Sequence, residues 1–178
     1  MLIRKAEKSD IHQIEEIYNK IHTKEEAGEI TIGWERGVYP TRATAVDALQ
    51  CGDLFVLEDS AGKVVAAARI NQVQVPEYAD AEWKDKEAAD EQVMVLHTLV
   101  VDPETSGKGY GTAFVDYYEK HALKHNCPYL RMDTNERNTC ARKLYKKLGY
   151  AEADIVSCVF NGIEGVQLVC LEKYIGEE

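Results

Sequence analysis

The chain has 178 residues, of which 45% are hydrophobic and 29% are charged, a composition that excludes a disordered or fibrous protein. Its formal net charge of −10 argues against a nucleic-acid partner, because such affinity depends on Lys and Arg side chains that neutralise phosphates. The five cysteines contain no Cys-x-x-Cys pair, so neither a metal site nor a disulfide framework is indicated.

The start of the chain becomes charged at once, with Arg4 and Lys5 where a signal peptide would have its apolar core. Nowhere does the chain contain the run of about 18 apolar residues that a membrane-spanning helix needs. We therefore expect a cytoplasmic protein without a membrane partner. The length fits a single domain over residues 1–178.

The first fifty residues predict a strand, a helix, an irregular stretch and a second helix. Residues Leu2 to Ala6 are typical of a short strand, and Ser9 or Asp10 is suited to cap the helix that follows. Residues 23–40 contain glycines and aromatic residues without a regular period, and a short helix is predicted from Thr41 to Gln50. The apolar face of the first helix consists of Ile11, Ile14, Ile17, Tyr18 and Ile21.

The middle of the chain predicts a hairpin and then an acidic segment. Two apolar runs, Asp53 to Glu58 and Lys63 to Ile70, flank the turn-forming residues 59–62. Residues 76–92 are mostly acidic, which favours a solvated loop or helix.

The second half alternates strands and helices before a final hairpin. A strand that is apolar on both faces is expected in the centre of a sheet. The predicted elements are a central strand Val93 to Val101, a helix from about Gly109 to His125, a strand Tyr129 to Asp133, a helix from about Asn138 to Leu148, and a hairpin of Ile155 to Phe160 with Val166 to Tyr174.

A glycine-rich segment, residues 106–112, joins the central strand to the next helix and reads Ser106-Gly107-Lys108-Gly109-Tyr110-Gly111-Thr112. The first N–H groups of a helix have no partner within the helix, and the helix dipole adds about half a positive charge there. Glycines let an anion such as a pyrophosphate approach this backbone closely. The segment therefore predicts a site for a phosphate-bearing ligand.

Two common nucleotide motifs do not fit this segment. A Walker loop requires Ser or Thr after its lysine, whereas Gly109 follows Lys108. The dinucleotide fingerprint requires a final glycine, and Thr112 or Phe114 occupies that position in the two alignments. Neither ATP nor NAD is favoured.

Two ordered motifs resemble those of the GCN5-related N-acetyltransferase (GNAT) family. The first motif is Leu99-Val100-Val101-Asp102-Pro103-Glu104 followed by Gly107-Lys108-Gly109-Tyr110-Gly111. The family pattern Arg/Gln-x-x-Gly-x-Gly/Ala maps onto Ser106, Gly109 and Gly111, so the chain departs from it at Ser106. The second motif is Asn138-x-x-Ala141-x-x-Leu144-Tyr145-x-x-x-Gly149-Tyr150, on the predicted helix.

The resemblance implies an α/β fold, with a central mixed sheet that is splayed where acetyl-CoA binds and helices that flank it. The backbone of Leu99 and Val101 would pair with the pantetheine amides, with Val100 between them also at the cofactor. The pyrophosphate would lie on the amides of residues 107–112, next to Ser106, and Asn138 would also hydrogen-bond the cofactor. Local cations would complement the anionic cofactor in this acidic chain; the candidates are Lys108, Arg142, Lys143 and Lys146.

For catalysis, the resemblance implies that Tyr145 gives a proton to the departing thiolate. His97 occupies the strand position where many family members have a glutamate base, and a neutral imidazole is able to accept a proton. Water, Glu35 or an acidic residue of 77–91 remain alternatives for the base.

The acceptor pocket of the family is commonly built from the region that here contains Trp34, Arg36 and Tyr39, and residues 72–92 would form another wall. The sequence leaves the acceptor open between a small-molecule amine and a peptide amine. A homodimer is common in the family, and the final hairpin offers one contact edge. A catalytically inactive CoA-binding sensor or interaction module is the alternative function.

Overall fold

The computed structural model describes residues 1–176, and its centre is a seven-stranded sheet. The strands are β1 (Leu2–Lys5), β2 (Leu54–Glu58), β3 (Val64–Asn71), β4 (Val93–Val101), β5 (Tyr129–Asn135), β6 (Ala151–Phe160) and β7 (Ile163–Tyr174). Their spatial order is β1-β2-β3-β4-β5-β7-β6. Strands β4 and β5 are parallel and the other neighbouring pairs are antiparallel, so the sheet is mixed, as predicted.

Four helices cover the two faces of this sheet. They are α1 (Ile11–Glu26), α2 (Arg42–Gln50), α3 (Tyr110–Lys124) and α4 (Thr139–Lys147). Strand β2 shows how both faces are buried: Leu54 and Val56 pack with α1 and α2, whereas Phe55 and Leu57 pack with α3. Among residues 1–176, no helix combines the length and the apolar character that crossing a membrane requires.

The sheet opens between β4 and β5. Their pairing ends at Leu96 and Met132, although β4 continues to Val101 and β5 to Asn135. On its other side β4 stays paired with β3 as far as Val101, but with a bulge at Thr98, whose φ is 52°. Because a bulge increases local twist and bends a strand, it fits the divergence of β4 from β5. The predicted splay is therefore present.

The predicted helices and strands are all found, with different ends. The largest shifts are in the last hairpin, where β6 begins at Ala151 and β7 at Ile163, before the predicted Ile155 and Val166. The turn at residues 161–162 joins Phe160 to its partner Ile163 as expected.

The prediction for residues 76–92 was wrong in part. Short 3-10 turns occupy 76–80 and 90–92, but Tyr78 and Trp83 are buried. The guanidinium of Arg131 lies 4.3 Å from the centroid of the Trp83 ring and donates to the carbonyl of Asp85 at 3.0 Å. A buried cation from β5 therefore fixes this acidic segment to the sheet, a contact that local composition does not reveal.

Candidate functional site

A groove of about 450 Å³ occupies the opening between the ends of β4 and β5, and we call it the β4–β5 groove. Its other walls come from residues 29–34, the first turns of α4 and strand β7. Of the residues predicted to bind the cofactor, those that line the groove are Leu99, Val100, Val101, Gly111 and Asn138. The groove thus brings together the two sequence motifs, which lie almost forty residues apart.

The glycine-rich segment leads into this groove at the start of α3. Gly109 has a φ of 78°, a left-handed conformation that glycine adopts without a steric penalty. Ala113 donates its N–H to the carbonyl of Gly109 at 2.9 Å, so the N–H groups of residues 110–112 precede the intrahelical bonds of α3. Within the part of the segment before α3, Ser106 and Lys108 are exposed.

Gly111 is the member of this segment that borders the groove, where α3 approaches α4 closely. A Cβ atom at Gly111 would lie 3.3 Å from Cδ2 of Leu144 and 3.8 Å from Cγ2 of Val101. The absence of a side chain therefore keeps the start of α3 beside the open end of β4. The remaining predicted residues, Ser106, Gly107, Lys108, Gly109, Tyr110 and Thr112, do not line the groove itself.

Asp102 anchors the turn between β4 and the glycine-rich segment, a role that the sequence analysis missed. Its carboxylate accepts from the N–H of Glu104 at 3.0 Å and from the Nζ of Lys20 at 2.9 Å, and the Nζ of Lys63 lies 3.4 Å away. Burial raises the pKa of Asp102, but these donors together hold it below its usual value. The turn is therefore attached to α1 and to Lys63, the residue before β3.

Asn138 both lines the groove and begins α4. Its Oδ1 accepts from the N–H of Ala141 at 3.2 Å, a typical N-cap interaction. Arg142, one of the cations expected near the cofactor, is instead bound to Glu152 with a distance of 2.7 Å between Nε and Oε1. Lys143 and Lys146 are exposed and do not line the groove.

Tyr145 lies on the buried face of α4 and borders the β4–β5 groove. Its ring contacts that of Tyr150, with 6.1 Å between centroids. No hydrogen bond to its hydroxyl is found among residues 1–176. Burial raises the pKa of Tyr145 above its usual value, and the nearby charge of Asp133 adds to this effect. The hydroxyl therefore keeps its proton at neutral pH and is available as a hydrogen-bond donor to a group in the groove.

A second space of about 320 Å³ adjoins the groove, and we call it the His97 cavity. Strand β3 contributes Arg69 and Asn71 to its wall, and helix α2 contributes Thr44 and Asp47. The cavity shares five wall residues with the groove: Tyr39, Thr98, Asp133, Phe160 and Asn161. A molecule in the cavity would therefore meet the contents of the groove at these residues.

His97 lines this cavity but not the groove. Its Nε2 lies 3.0 Å from the Oδ1 of Asn71. Burial, followed by the charge of Arg69, lowers the pKa of His97 to about 4. The imidazole is therefore neutral at pH 7, as the sequence analysis expected, but it is a weak proton acceptor.

Asp133, at the boundary between the two spaces, is a second titratable residue to which the sequence analysis gave no role. It was included only as the end of a predicted strand. Its Oδ2 accepts a hydrogen bond of 2.7 Å from the hydroxyl of Tyr78. Burial raises the pKa of Asp133 to about 6; the bond from Tyr78 opposes this rise, and the charge of Glu77 adds to it. No local sequence signal marks Asp133, because its hydrogen-bond partner Tyr78 lies in residues 76–80, more than fifty residues earlier.

The aromatic residues predicted for an acceptor pocket lie next to each other. Trp34 and Tyr39 pack edge to face, with 5.9 Å between ring centroids, and both line the β4–β5 groove. Tyr39 also lines the His97 cavity, where its hydroxyl is hydrogen-bonded to that of Thr98 at the bulge. Arg36 lines neither space and pairs with Glu26 at 2.7 Å.

The alternative side-chain proton acceptors lie outside the β4–β5 groove and the His97 cavity. Glu35 is exposed, and neither it nor any acidic residue of 77–91 lines either space. Residues 72–92 were predicted to form another wall of the acceptor pocket. Of these residues, Val73 and Val75 line the His97 cavity.

The turn of the last hairpin covers the boundary between the two spaces, which the sequence analysis did not foresee. Phe160 and Asn161 line both, and a Cβ atom at Gly162 would lie 3.3 Å from Cγ1 of Val38. Two loops that are distant in sequence therefore meet here. Among the residues that the structure describes, no three His, Cys, Asp or Glu side chains form a group suited to hold a metal.

A curated relative matches part of the chain. A curated relative, an uncharacterised N-acetyltransferase of Methanocaldococcus jannaschii, is 31% identical over 65 residues, which are 36% of this chain and 29% of the relative. The chain thus matches less than a third of that relative's length.

Solved structures match over nearly the whole chain. A GNAT-family acetyltransferase of Streptococcus agalactiae is similar with a TM-score of 0.80 and 21% identity, covering 99% of this chain and 96% of that one. The ribosomal-protein-S18-alanine N-acetyltransferase of Escherichia coli is similar with a TM-score of 0.68 and 18% identity, covering 99% and 95%. At these identities the likeness shows the shared fold.

The sequence profile described as "Acetyltransferase (GNAT) family" matches residues 11–150. This range contains both sequence motifs, the β4–β5 groove residues that carry them, and Tyr145. The chain therefore belongs to the GNAT family of acetyltransferases.

Proposed function

We propose that the protein transfers the acetyl group of acetyl-CoA to a primary amine of a small molecule or a peptide. The amine attacks the thioester directly while both substrates are bound. The observation that carries this proposal is the opening between β4 and β5, which leaves strand edges unpaired beside the first N–H groups of α3.

The opening suits an extended donor with amide groups and a pyrophosphate. Residues 97–101 of β4 extend past the end of the β5 pairing, so an amide-bearing arm is able to pair with β4 as an added strand would. The N–H groups of residues 110–112 suit a pyrophosphate. Ser106 is too short to act as the Arg or Gln of the family pattern, so the backbone supplies most of the phosphate contacts. A backbone N–H near Leu99 would polarise the thioester carbonyl.

Tyr145 is the proposed acid. Its hydroxyl borders the groove without a hydrogen-bond partner among residues 1–176, and burial keeps it protonated. It gives its proton to the thiolate that leaves, which makes the thiolate a better leaving group.

The His97 cavity is the proposed acceptor site, with Tyr39 at its boundary with the groove and Trp34 beside it. The one guanidinium in its wall, that of Arg69, is neutralised by Asp47 at 2.9 Å and Asp53 at 3.3 Å. With Asp133 also in the wall, the charge suits a cationic amine. His97 also lies in its wall, at the strand position where the resemblance implies a base.

A thiol-release assay tests this function. The protein is mixed with acetyl-CoA and, separately, spermidine, lysine, kanamycin and a peptide with N-terminal alanine; the last is included because a structural neighbour is named for acetylating such a residue. Amine-dependent release of CoA thiol supports the proposal. Binding of acetyl-CoA without release from any amine would favour the alternative, an inactive CoA-binding module.

A further inference from the structure

The boundary between the β4–β5 groove and the His97 cavity is where an acceptor amine in the cavity would meet a thioester in the groove. Five residues border both spaces. Thr98, Phe160 and Asn161 have no group that titrates near neutral pH, and burial raises the pKa of Tyr39 to about 12. Asp133 is therefore the boundary residue suited to exchange a proton near neutral pH.

The carboxylate of Asp133 is held in place yet only partly used. Tyr78 donates to Oδ2 at 2.7 Å, and within residues 1–176 no donor is bound to Oδ1. Tyr78 is itself fixed, since its carbonyl accepts from the Nε1 of Trp83 at 2.8 Å and its ring packs against Trp83. One oxygen is thus oriented by the protein while the other is free for an ammonium.

We propose that Asp133 binds the ammonium of the acceptor and accepts the proton that this ammonium must lose before it attacks. The inference rests on the proposed function and assigns a proton acceptor different from His97. His97 lines the cavity away from the groove, and its low proton affinity suits a neutral wall residue better than a base.

The nitrogen of the ammonium loses two protons during the reaction. The ammonium gives one proton to the carboxylate of Asp133, which later passes it to solvent, and the nitrogen lone pair forms a bond to the thioester carbon. The carbon–sulfur bond breaks, and the sulfur takes the proton of Tyr145. The second proton that the nitrogen loses restores the hydroxyl of Tyr145. The products are an amide and a free thiol, with one proton released.

Titratable groups on several elements interact with Asp133, and among them Glu77 is the charged neighbour that acts on its pKa. Asp47, Arg69 and His97 line the same cavity. The pKa values of the tyrosines and cysteines are raised by burial, so these groups are neutral near pH 7. The surrounding groups are Glu77 and Tyr78 from residues 76–80, Tyr39 from the loop before α2, Tyr145 from α4, Cys158 from β6 and Cys170 from β7.

The test uses the best amine from the four named above and measures kcat/KM against pH. In the wild type, activity rises with pH through an apparent pKa near 6, because Asp133 must be ionised. Asp133→Asn keeps the shape of the side chain and the bond from Tyr78. We expect kcat/KM at pH 7 to fall by about 100-fold, and the rise of kcat/KM near pH 6, which we call the acidic limb, to disappear.

Two variants that do not contact the substrates shift the limb in opposite directions. Tyr78→Phe removes a hydrogen bond that favours the ionised carboxylate, so the limb moves to higher pH. Glu77→Gln removes a negative charge, so the limb moves to lower pH. A merely structural role of Asp133 would produce neither shift. His97→Asn tests the competing proton acceptor: if Asp133 is the base, the rise in activity near pH 6 stays in place.

A thermal-shift titration with acetyl-CoA on each variant separates the two proposals. If Asp133→Asn binds acetyl-CoA and keeps the wild-type profile, or if His97→Asn abolishes the limb, the assignment to Asp133 is overturned while the proposed function stands. If the wild type binds acetyl-CoA but releases no thiol with any of the four amines, the proposed function fails and the assignment fails with it.

Discussion

The β4–β5 groove and the His97 cavity meet at shared residues but are built in different ways. In the groove, the proposed contacts to the donor come mainly from backbone: an unpaired strand edge and the first N–H groups of α3 beside it. The cavity is made from side chains that come from α2, β3, β4, β5 and two distant loops. A site made of backbone needs a local sequence of particular shape, whereas a site made of side chains depends on residues that only folding brings together.

The largest expected effect is at Tyr145, because the proposed chemistry in the groove depends on this side chain and not on backbone. Tyr145→Phe removes the proton donor and leaves the ring in place, so kcat is expected to fall by about 100-fold while the Kd of acetyl-CoA is unchanged. Steady-state thiol release and calorimetry measure the two quantities. Tyr150→Phe is the control, because Tyr150 contacts the same ring but bonds Glu119 instead of lining the groove. Equal losses in both variants would assign Tyr145 to packing.

The backbone nature of the groove is tested at Gly109. Gly109→Ala adds a side chain at a φ of 78° and is expected to disturb the N–H groups that follow, weakening acetyl-CoA binding by about tenfold, or ~1.4 kcal/mol. Gly62→Ala carries the same backbone strain at a φ of 77° in the β2–β3 turn and should leave the affinity unchanged. Calorimetry compares the two. An affinity that stays at the wild-type value in Gly109→Ala would show that these amides do not bind the pyrophosphate.

The smallest expected effect concerns the position where the chain departs from the family pattern. Ser106→Arg adds a cation beside the glycine-rich segment and should strengthen acetyl-CoA binding by about threefold at low salt, with the gain reduced at 1 M salt by screening. Ser60→Arg adds the same charge to an exposed turn as the control. Equal gains in the two variants would mean that net charge alone, and no local contact, explains the effect.

The difference between backbone contacts and side chains that folding brings together also explains which parts of the site could be predicted from the sequence. The glycine-rich segment and the strand before it have local patterns that match the family motif, and the resemblance implied a cofactor role for Leu99, Val101 and Gly111, which line the groove. The helix and strand order followed from apolar periodicity and turn residues, with errors at element ends because hydrogen bonding beyond the local pattern decides where a strand stops.

The unpredicted parts depend on long-range contacts. Asp133 is one strand residue among several until Tyr78 binds it, and Tyr78 lies in a segment whose acidic composition suggested a solvated surface. The bulge at Thr98 and the turn at Phe160 likewise acquire their positions from β3 and from the loop around Val38. Apolar periodicity does not encode such pairings.

A thermal-shift titration of the purified protein with acetyl-CoA, beside ATP and NAD, tests the central claim most directly. A ligand that binds only the folded state raises its stability by RT ln(1 + [L]/Kd), or about 2.7 kcal/mol at one hundred times Kd. We predict a saturable rise in Tm with acetyl-CoA and none with ATP or NAD. No rise at a millimolar concentration of acetyl-CoA would contradict the proposal that the β4–β5 groove binds this donor.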